Sequence, residues 1–271
     1  MSKSIHPIRL NHMNVVLADF DASLDHFRRT YGAELVADMP QREFHACLVE
    51  LGRVIFELFV PYAELLIARY GPHYLGVEYQ ADMDEVRSVI AARGIRIIRD
   101  IGVALHTHPA DGYGMSFEFY GDYFHDRDWP LLGGPIKSAD HWREHPLGLT
   151  GIKAYSVVVA DIDAAREFFQ TFLSAVPVYE EARPAVAGRA VGLEVSDAVV
   201  ELITPVGDGA LRQHLQRFGE GIRSTVFGVR DTGRARRYLA GRGVTVTAGD
   251  APDTLAIPAE QNLGLRFEFS E

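Results

Sequence analysis

The sequence contains two copies of one long pattern, and this duplication restricts the possible folds more than any other feature. The segment LNHMNVVLADFDASLDHFRRTYGAELV resembles the later segment GIKAYSVVVADIDAAREFFQTFLSAVPV. Each has a β-branched run, an Ala-Asp pair followed by a second Asp, and aromatic residues at helical spacing. Downstream, VIFELFVP is matched by VVELITP, and GMSFEFYG by GLRFEFSE. We therefore expect a duplicated domain.

A shorter repeat lies within each half. The order strand, helix, strand recurs twice in each half, and the β-branched runs are typical of strands. Asp21 and Asp163 stand before the two aromatic-rich stretches, where we expect them to act as helix N-caps. The sequence thus predicts an α+β fold of four βαβββ modules.

We place the domain boundaries where the composition changes. The first domain is predicted to span 1–128 and the second 149–271. The connector at 129–148 is rich in Pro and Gly and contains both tryptophans, Trp129 and Trp142. We expect the connector to pack across the domain junction, and a lid facing the substrate is the alternative, because long loops sometimes have that role.

Composition excludes several classes of function. The formal net charge is -10, whereas a nucleic-acid-binding protein typically has a basic surface. Cys47 is the single cysteine, which excludes an intrachain disulfide and a thiolate zinc cluster. The N-terminus has no apolar stretch of signal-peptide length, and no apolar run approaches membrane-spanning length. We therefore expect a cytoplasmic protein that does not associate with membranes.

Four residues of the first half have side chains that could carry chemistry. His12, Glu57, His73 and Glu118 lie on the predicted first, fourth, fifth and eighth strands. Each Glu lies among apolar neighbours, and burial of a carboxylate requires a compensating partner. Imidazoles and carboxylates that converge on one point suit a divalent metal ion with nitrogen and oxygen ligands.

The modules, together with the motifs HMNVVLADFD, FELFVP, GPHYLGVEY and FEFYG, resemble the vicinal oxygen chelate superfamily. This superfamily includes glyoxalase I, methylmalonyl-CoA epimerase, extradiol dioxygenases and resistance proteins. The resemblance implies two tandem domains with cupped mixed sheets and one divalent metal ion, which could be Fe, Ni, Zn, Mn or Co. The ligands that it implies are His12, Glu57, His73 and Glu118, with Tyr74 as the alternative to His73.

The second half departs from this pattern. Ala154 stands at the position that matches His12, whereas the carboxylates Glu201 and Glu268 remain. Two carboxylates without imidazoles are a poor metal site, so we expect no metal in the second half. We expect Arg223 to supply the positive charge there, because a guanidinium can bridge carboxylates.

The resemblance favours a metal-dependent lyase or isomerase that acts on a small molecule with vicinal oxygens. Glu57 and Glu118 are then the catalytic residues, moving a proton next to a carbonyl. An extradiol-type ring-cleaving dioxygenase and a non-enzymatic resistance-type binding protein are the alternatives. We leave open whether the chain forms a homodimer. Further residues that could line the substrate site are His45, Tyr74, Tyr120 and His108.

Overall fold

The computed structural model describes residues 4–63, 70–126 and 136–271. Its strands form two eight-stranded curled mixed sheets, one from each half of the sequence. The strand order is β2-β3-β4-β1-β5-β8-β7-β6 in the first sheet and β10-β11-β12-β9-β13-β16-β15-β14 in the second. The second order is the first with every number raised by eight, so the predicted duplication and the α+β fold are confirmed.

Each sheet is built from two modules of like design. The strands of the first half are Arg9–Val16 (β1), Glu34–Pro40 (β2), Phe44–Leu51 (β3), Val54–Pro61 (β4), His73–Gln80 (β5), Ile97–Asp100 (β6), Ala104–Thr107 (β7) and Ser116–Tyr120 (β8). Those of the second half are Leu149–Val158 (β9), Val176–Arg183 (β10), Gly188–Val195 (β11), Ala198–Pro205 (β12), Gly221–Val229 (β13), Thr247–Ala248 (β14), Leu255–Ile257 (β15) and Arg266–Ser270 (β16). The α-helices are Phe20–Tyr31 (α1), Met83–Arg93 (α2), Ala139–Glu144 (α3), Ile162–Phe172 (α4), Ala210–Phe218 (α5) and Thr232–Gly241 (α6).

The chain divides into two compact units that interleave along the sequence. One unit comprises Met1–His12, Leu75–Asp126 and Ala154–Arg223. The other comprises Met13–Tyr74, Arg127–Lys153 and Ser224–Glu271. Each unit therefore combines most of one module from the first half with most of one from the second. The domain boundaries that we placed near residues 128 and 149 stay a prediction.

The connector is anchored through a buried carboxylate. Trp142 is fully buried, and its indole N–H donates a hydrogen bond of 2.8 Å to Glu50 Oε1 on β3. The backbone N–H of Lys137 donates to the other oxygen of Glu50 at 2.8 Å. Trp129, the second aromatic residue of the predicted connector, lies outside the described residues.

The helix caps differ from the prediction by two residues. The N-caps of α1 and α4 are Asp19 and Asp161, whose side chains accept hydrogen bonds from backbone N–H groups of the first turn. Asp21 and Asp163, which we expected to cap, lie inside that first turn. A side chain can reach those N–H groups only from the extended residue that precedes the helix. Asp19 and Asp161 stand at that position.

Alternation along β8 separates the core from the polar face of the sheet. Phe117 and Phe119 point towards helix α4, where their ring centroids lie 5.5 and 6.2 Å from that of Phe172. Glu118 lies between them and therefore projects from the opposite face. The aromatic contacts with α4 thus fix which face of β8 carries the carboxylate.

Candidate metal centre

Three buried side chains lie together in the first half of the described chain. They are His12 on β1, Glu78 on β5 and Glu118 on β8, and one potential ligand atom from each lies within 4.8 Å of the other two. The Nδ1 atom of His12 is 3.4 Å from Glu78 Oε1, and its Nε2 atom is 3.4 Å from Glu118 Oε2. The three residues are 1, 0 and 6% exposed, so the group is shielded from bulk water.

The strand order explains why these three residues meet. The parallel neighbours β5 and β8 bring Glu78 directly opposite Glu118, and β1 is the next strand beyond β5. Two residues earlier, Gly76 lies opposite Ser116, and a Cβ atom on Gly76 would be 1.9 Å from the Ser116 carbonyl oxygen. Glycine is therefore needed for β5 and β8 to approach this closely beside the two carboxylates.

A second histidine supports the group. His106 on β7 lies directly opposite Glu118 in the antiparallel ladder, with its Nε2 atom 3.0 Å from Glu118 Oε1. Burial by itself would raise the pKa of the Glu118 carboxyl, but the hydrogen bonds from His106 and His12 hold that pKa well below its usual range. At the Glu118 carboxyl the two imidazole neighbours thus outweigh the effect of burial.

An aromatic ring covers one side of the group. The Phe124 ring packs 4.9 Å from that of His12 and 5.2 Å from that of Tyr120. The Asn11 side chain holds this segment in place, because it donates to the carbonyl oxygen of Asp122 at 2.9 Å and accepts from the N–H of Phe124 at 3.0 Å. Tyr120 contacts Phe124, and its predicted role in lining the substrate site stays a prediction.

The donors present fit a divalent metal ion. Two carboxylates buried within a few ångströms of each other repel and favour a neighbouring positive charge. Imidazole nitrogen and carboxylate oxygen are ligands that suit Mn, Fe, Co, Ni and Zn, so the donors do not distinguish among these metals. Here His12, Glu78 and Glu118 would supply one nitrogen and at least two oxygens.

The predicted ligands fall into two pairs. His12 and Glu118 belong to the group, whereas Glu57 and His73 do not. Glu57 is half-buried on β4, and His73, the first residue of β5, has its Nδ1 atom 2.7 Å from the carbonyl oxygen of Gly71. The roles of Glu57 and His73 as ligands, and of Glu57 as a catalytic residue, stay predictions.

Sequence reasoning missed Glu78 and His106. Glu78 stands between Val77 and Tyr79 in the run GVEYQ, which is the same signal, a Glu within an apolar strand, that selected Glu57 and Glu118. It could have been found on that basis. His106 precedes a loop, and nothing in its local sequence distinguishes it from a surface histidine.

The other predicted lining residues make local contacts of their own. The Nε2 atom of His45 is 2.5 Å from Asp38 Oδ1, and its ring stacks on Phe20 at 3.6 Å. The hydroxyl of Tyr74 donates to the carbonyl oxygen of Arg266 at 2.8 Å. His108 accepts a hydrogen bond from the N–H of Ala110 and so caps a short 3-10 helix. Their contribution to substrate binding stays a prediction.

In the second half, arginines neutralise the two carboxylates that remain. Arg183 pairs with Glu201 at 2.5 Å, and Arg266 pairs with Glu268 at 2.9 Å. This agrees with the expectation that guanidinium groups supply the positive charge there, although these two arginines are not the one that we had singled out. The role given to Arg223 stays a prediction.

Comparison with known proteins identifies the fold. No family model matches the sequence, and no curated protein matches it. A variant of 4-hydroxymandelate synthase from Streptomyces coelicolor is similar over 97% of this chain and 92% of its own, with a TM-score of 0.79 and 15% identity. A fusion of a xylose isomerase-like TIM barrel with 4-hydroxyphenylpyruvate dioxygenase is similar over 99% of this chain and 49% of its own, with a TM-score of 0.68 and 11% identity.

Methylmalonyl-CoA epimerase from Mycobacterium tuberculosis is similar over 45% of this chain and 87% of its own, with 25% identity and a TM-score of 0.43. The two similarities that span almost all of this chain, at 15% and 11% identity, show the fold alone. That fold consists of paired βαβββ modules repeated in tandem. The chain therefore has the fold of these two solved structures. Membership of the vicinal oxygen chelate superfamily, which the sequence motifs imply, stays a prediction. Among the described residues, none of the helices has the length and apolar character needed to cross a membrane.

Proposed function

We propose that this protein is a metal-dependent enzyme that acts on a small molecule with two neighbouring oxygen atoms. The observation that carries the proposal is the buried group of His12, Glu78 and Glu118 within a vicinal oxygen chelate fold. Buried carboxylates are costly to the folded state unless something compensates them, and such costs are typical of functional sites. The proposal places the working site in the first half of the chain.

The residues have separate tasks in this proposal. His12, Glu78 and Glu118 would hold the metal ion through one imidazole nitrogen and their carboxylate oxygens. When bound, the metal would supply Lewis-acid stabilisation of an enolate-like charge on the substrate oxygens. Phe124 shields the His12 side of the group from water, which strengthens electrostatic interactions within it.

For the chemistry itself we favour a glyoxalase- or epimerase-like lyase or isomerase, in which a carboxylate moves a proton beside a carbonyl. Glu118 is the predicted catalytic residue that belongs to the group, and its two imidazole neighbours hold the pKa of its carboxyl below the usual range. Substrate binding would require Phe124 and its neighbours to yield, because the group is buried. Loop movement of this kind is common in enzymes.

A dioxygenase is the second candidate. It is favoured by two structural similarities that span almost all of this chain, to a 4-hydroxymandelate synthase and to a protein containing 4-hydroxyphenylpyruvate dioxygenase. The second name describes a reaction of an aromatic 2-oxo acid with oxygen, so the same compounds are suitable probes here. The donor set of the metal group does not by itself decide between the two chemistries.

Metal analysis of protein prepared without chelators tests the shared part of the proposal. We expect about one divalent metal ion per chain, since one group of ligands is present, and loss of that ion in Glu118→Gln. The matched control is Glu268→Gln, the same change at the repeat-related position, which should keep the metal. Wild-type protein that neither contains nor takes up a stoichiometric divalent metal would contradict the proposal.

The metal-loaded protein then distinguishes the two chemistries. An oxygen electrode with aromatic 2-oxo acids measures oxygen uptake, and proton NMR in deuterated water measures exchange at the carbon beside a carbonyl. Exchange without oxygen uptake supports the lyase or isomerase, and metal-dependent oxygen uptake supports the dioxygenase. Each activity should disappear in Glu118→Gln and persist in Glu268→Gln.

A further inference from the structure

We propose that His106 is a positioning residue of the metal centre, which holds the Glu118 carboxylate so that one chosen oxygen faces the metal. This inference rests on the proposed function and deepens it. It assigns a role to a histidine that lies outside the ligand group but touches one of its members. Outer partners of this kind orient ligands and are energetically important in metal sites.

The two oxygens of Glu118 have different imidazole neighbours. Oε1 is 3.0 Å from Nε2 of His106, whereas Oε2 is 3.4 Å from Nε2 of His12. A carboxylate held by one oxygen cannot rotate about its terminal bond without breaking that hydrogen bond. His106 therefore leaves Oε2 as the oxygen that faces the ligand group, with its orientation set before a metal arrives.

The backbone on which His106 stands is itself fixed. The side-chain oxygen of Thr107 accepts a hydrogen bond from the N–H of Phe117 at 2.9 Å. The Thr107 carbonyl oxygen accepts a second one from the hydroxyl of Ser116, also at 2.9 Å. These bonds fix the register of β7 relative to β8 beside the His106–Glu118 pair. The position of the His106 imidazole relative to Glu118 is therefore fixed as well.

The internal repeat provides a comparison within the same chain. In the second half Ala256 of β15 lies opposite Glu268 of β16, as His106 of β7 lies opposite Glu118 of β8. Alanine is thus compatible with the fold at this position, which has no structural need for a large polar side chain. The imidazole occurs in the half that has the metal-ligand group, where it has a carboxylate to orient.

Metal affinity tests the inference without any substrate. The dissociation constants of His106→Ala, His106→Gln and wild type are compared by competition with a chromophoric chelator for Zn²⁺. We expect His106→Ala to bind about 10- to 100-fold more weakly, the range known for lost outer partners. We expect His106→Gln to recover most of the affinity, because its amide N–H can still donate to Glu118. The control is His141→Ala, an exposed histidine on α3, with wild-type affinity.

The outcomes are distinguishable. Equal affinity in His106→Ala and wild type would overturn the positioning role and leave the proposed function intact, whereas absence of metal from wild type would overturn both. Pulsed EPR of the Cu²⁺-loaded proteins counts the coordinated imidazoles. The same count in wild type and His106→Gln supports positioning, and one imidazole fewer in His106→Gln would overturn it by making His106 a ligand. Unchanged thermal unfolding of the metal-free variants separates either result from misfolding.

Discussion

Glu118 and Glu268 occupy the same place in the two halves. Each lies on the strand that comes last in the sequence of its half, and both are buried. What surrounds them is different. In the first half the residues opposite Glu118 on the two flanking strands are polar, namely Glu78 and His106. In the second half the residues opposite Glu268 are apolar, namely Val226 and Ala256. One duplicated framework thus supports a group of potential metal ligands in the first half and a buried ion-pair cluster in the second.

The pKa values of the two carboxyls also shift in opposite directions. The pKa of Glu118 is held low by its imidazole neighbours despite burial. Burial raises the pKa of Glu268, and the nearby Asp250 carboxylate raises it further, although Arg266 partly offsets both. Arg266 donates to Glu268 and to Asp250, each at 2.9 Å. A buried carboxylate can therefore be satisfied either by imidazoles beside a potential metal position or by a guanidinium of the same strand.

The largest expected effect comes from removal of that guanidinium. Arg266→Met leaves two buried carboxylates without their cation, and breaking a buried ion pair typically costs about 3–5 kcal/mol. Urea denaturation should show this loss relative to wild type. The triple variant Arg266→Met, Asp250→Asn, Glu268→Gln should recover most of it, because no unpaired charge is left. A loss below about 1 kcal/mol in Arg266→Met would contradict this account of the second half.

Metal should stabilise the first half by a somewhat smaller amount. A ligand present at 100 times its dissociation constant stabilises the folded state by about 2.7 kcal/mol. We expect this increase in wild type and its absence in Glu78→Gln, measured as the shift in unfolding free energy on adding Zn²⁺. The matched control is Glu194→Gln, on the exposed side of β11, which should respond as wild type does. A full metal response in Glu78→Gln would exclude Glu78 as a ligand.

A glycine tests how tightly the second half is packed. A Cβ atom on Gly192 would lie 2.3 Å from the ring of Tyr179, whose hydroxyl donates to Glu201 at 2.8 Å. Gly192→Ala should therefore displace the ring and cost about 1–3 kcal/mol, the usual range for overpacking. In Gly241→Ala no atom lies near the added methyl group, so the midpoint temperature of thermal unfolding should be unchanged or slightly higher. Equal behaviour of the two variants would contradict the packing described for β10 and β11.

The smallest effect concerns the connector, which belongs to neither sheet. Burial is the main cause that lowers the pKa of His145 from 6.5 to about 4, and nearby positive groups add to it. Between these two values the unfolded chain binds a proton that the folded protein does not, so this histidine makes stability fall as the pH falls from about 6.5 to about 4. His145→Asn should have a flatter profile of urea midpoint against pH in that window. Parallel profiles for variant and wild type would show that His145 has the same pKa in the folded and the unfolded protein.

The sequence by itself determined the duplication, the order of strands and helices, and two members of the candidate metal-binding group. These follow from local patterns: alternation along each strand, helical spacing of aromatic residues, and a His or Glu where an apolar residue is expected. His12 and Glu118 were identified in this way, because an ionisable group in an apolar strand is visible without knowledge of its neighbours.

The tertiary structure decided which of the visible groups meet. Alternation assigns a residue to a face, but the neighbours of a strand and its register set the distance between side chains on that face. The order β1, β5, β8 brings His12, Glu78 and Glu118 together, and the β7 register adds His106. Such pairings join residues far apart in the sequence, so no local pattern records them.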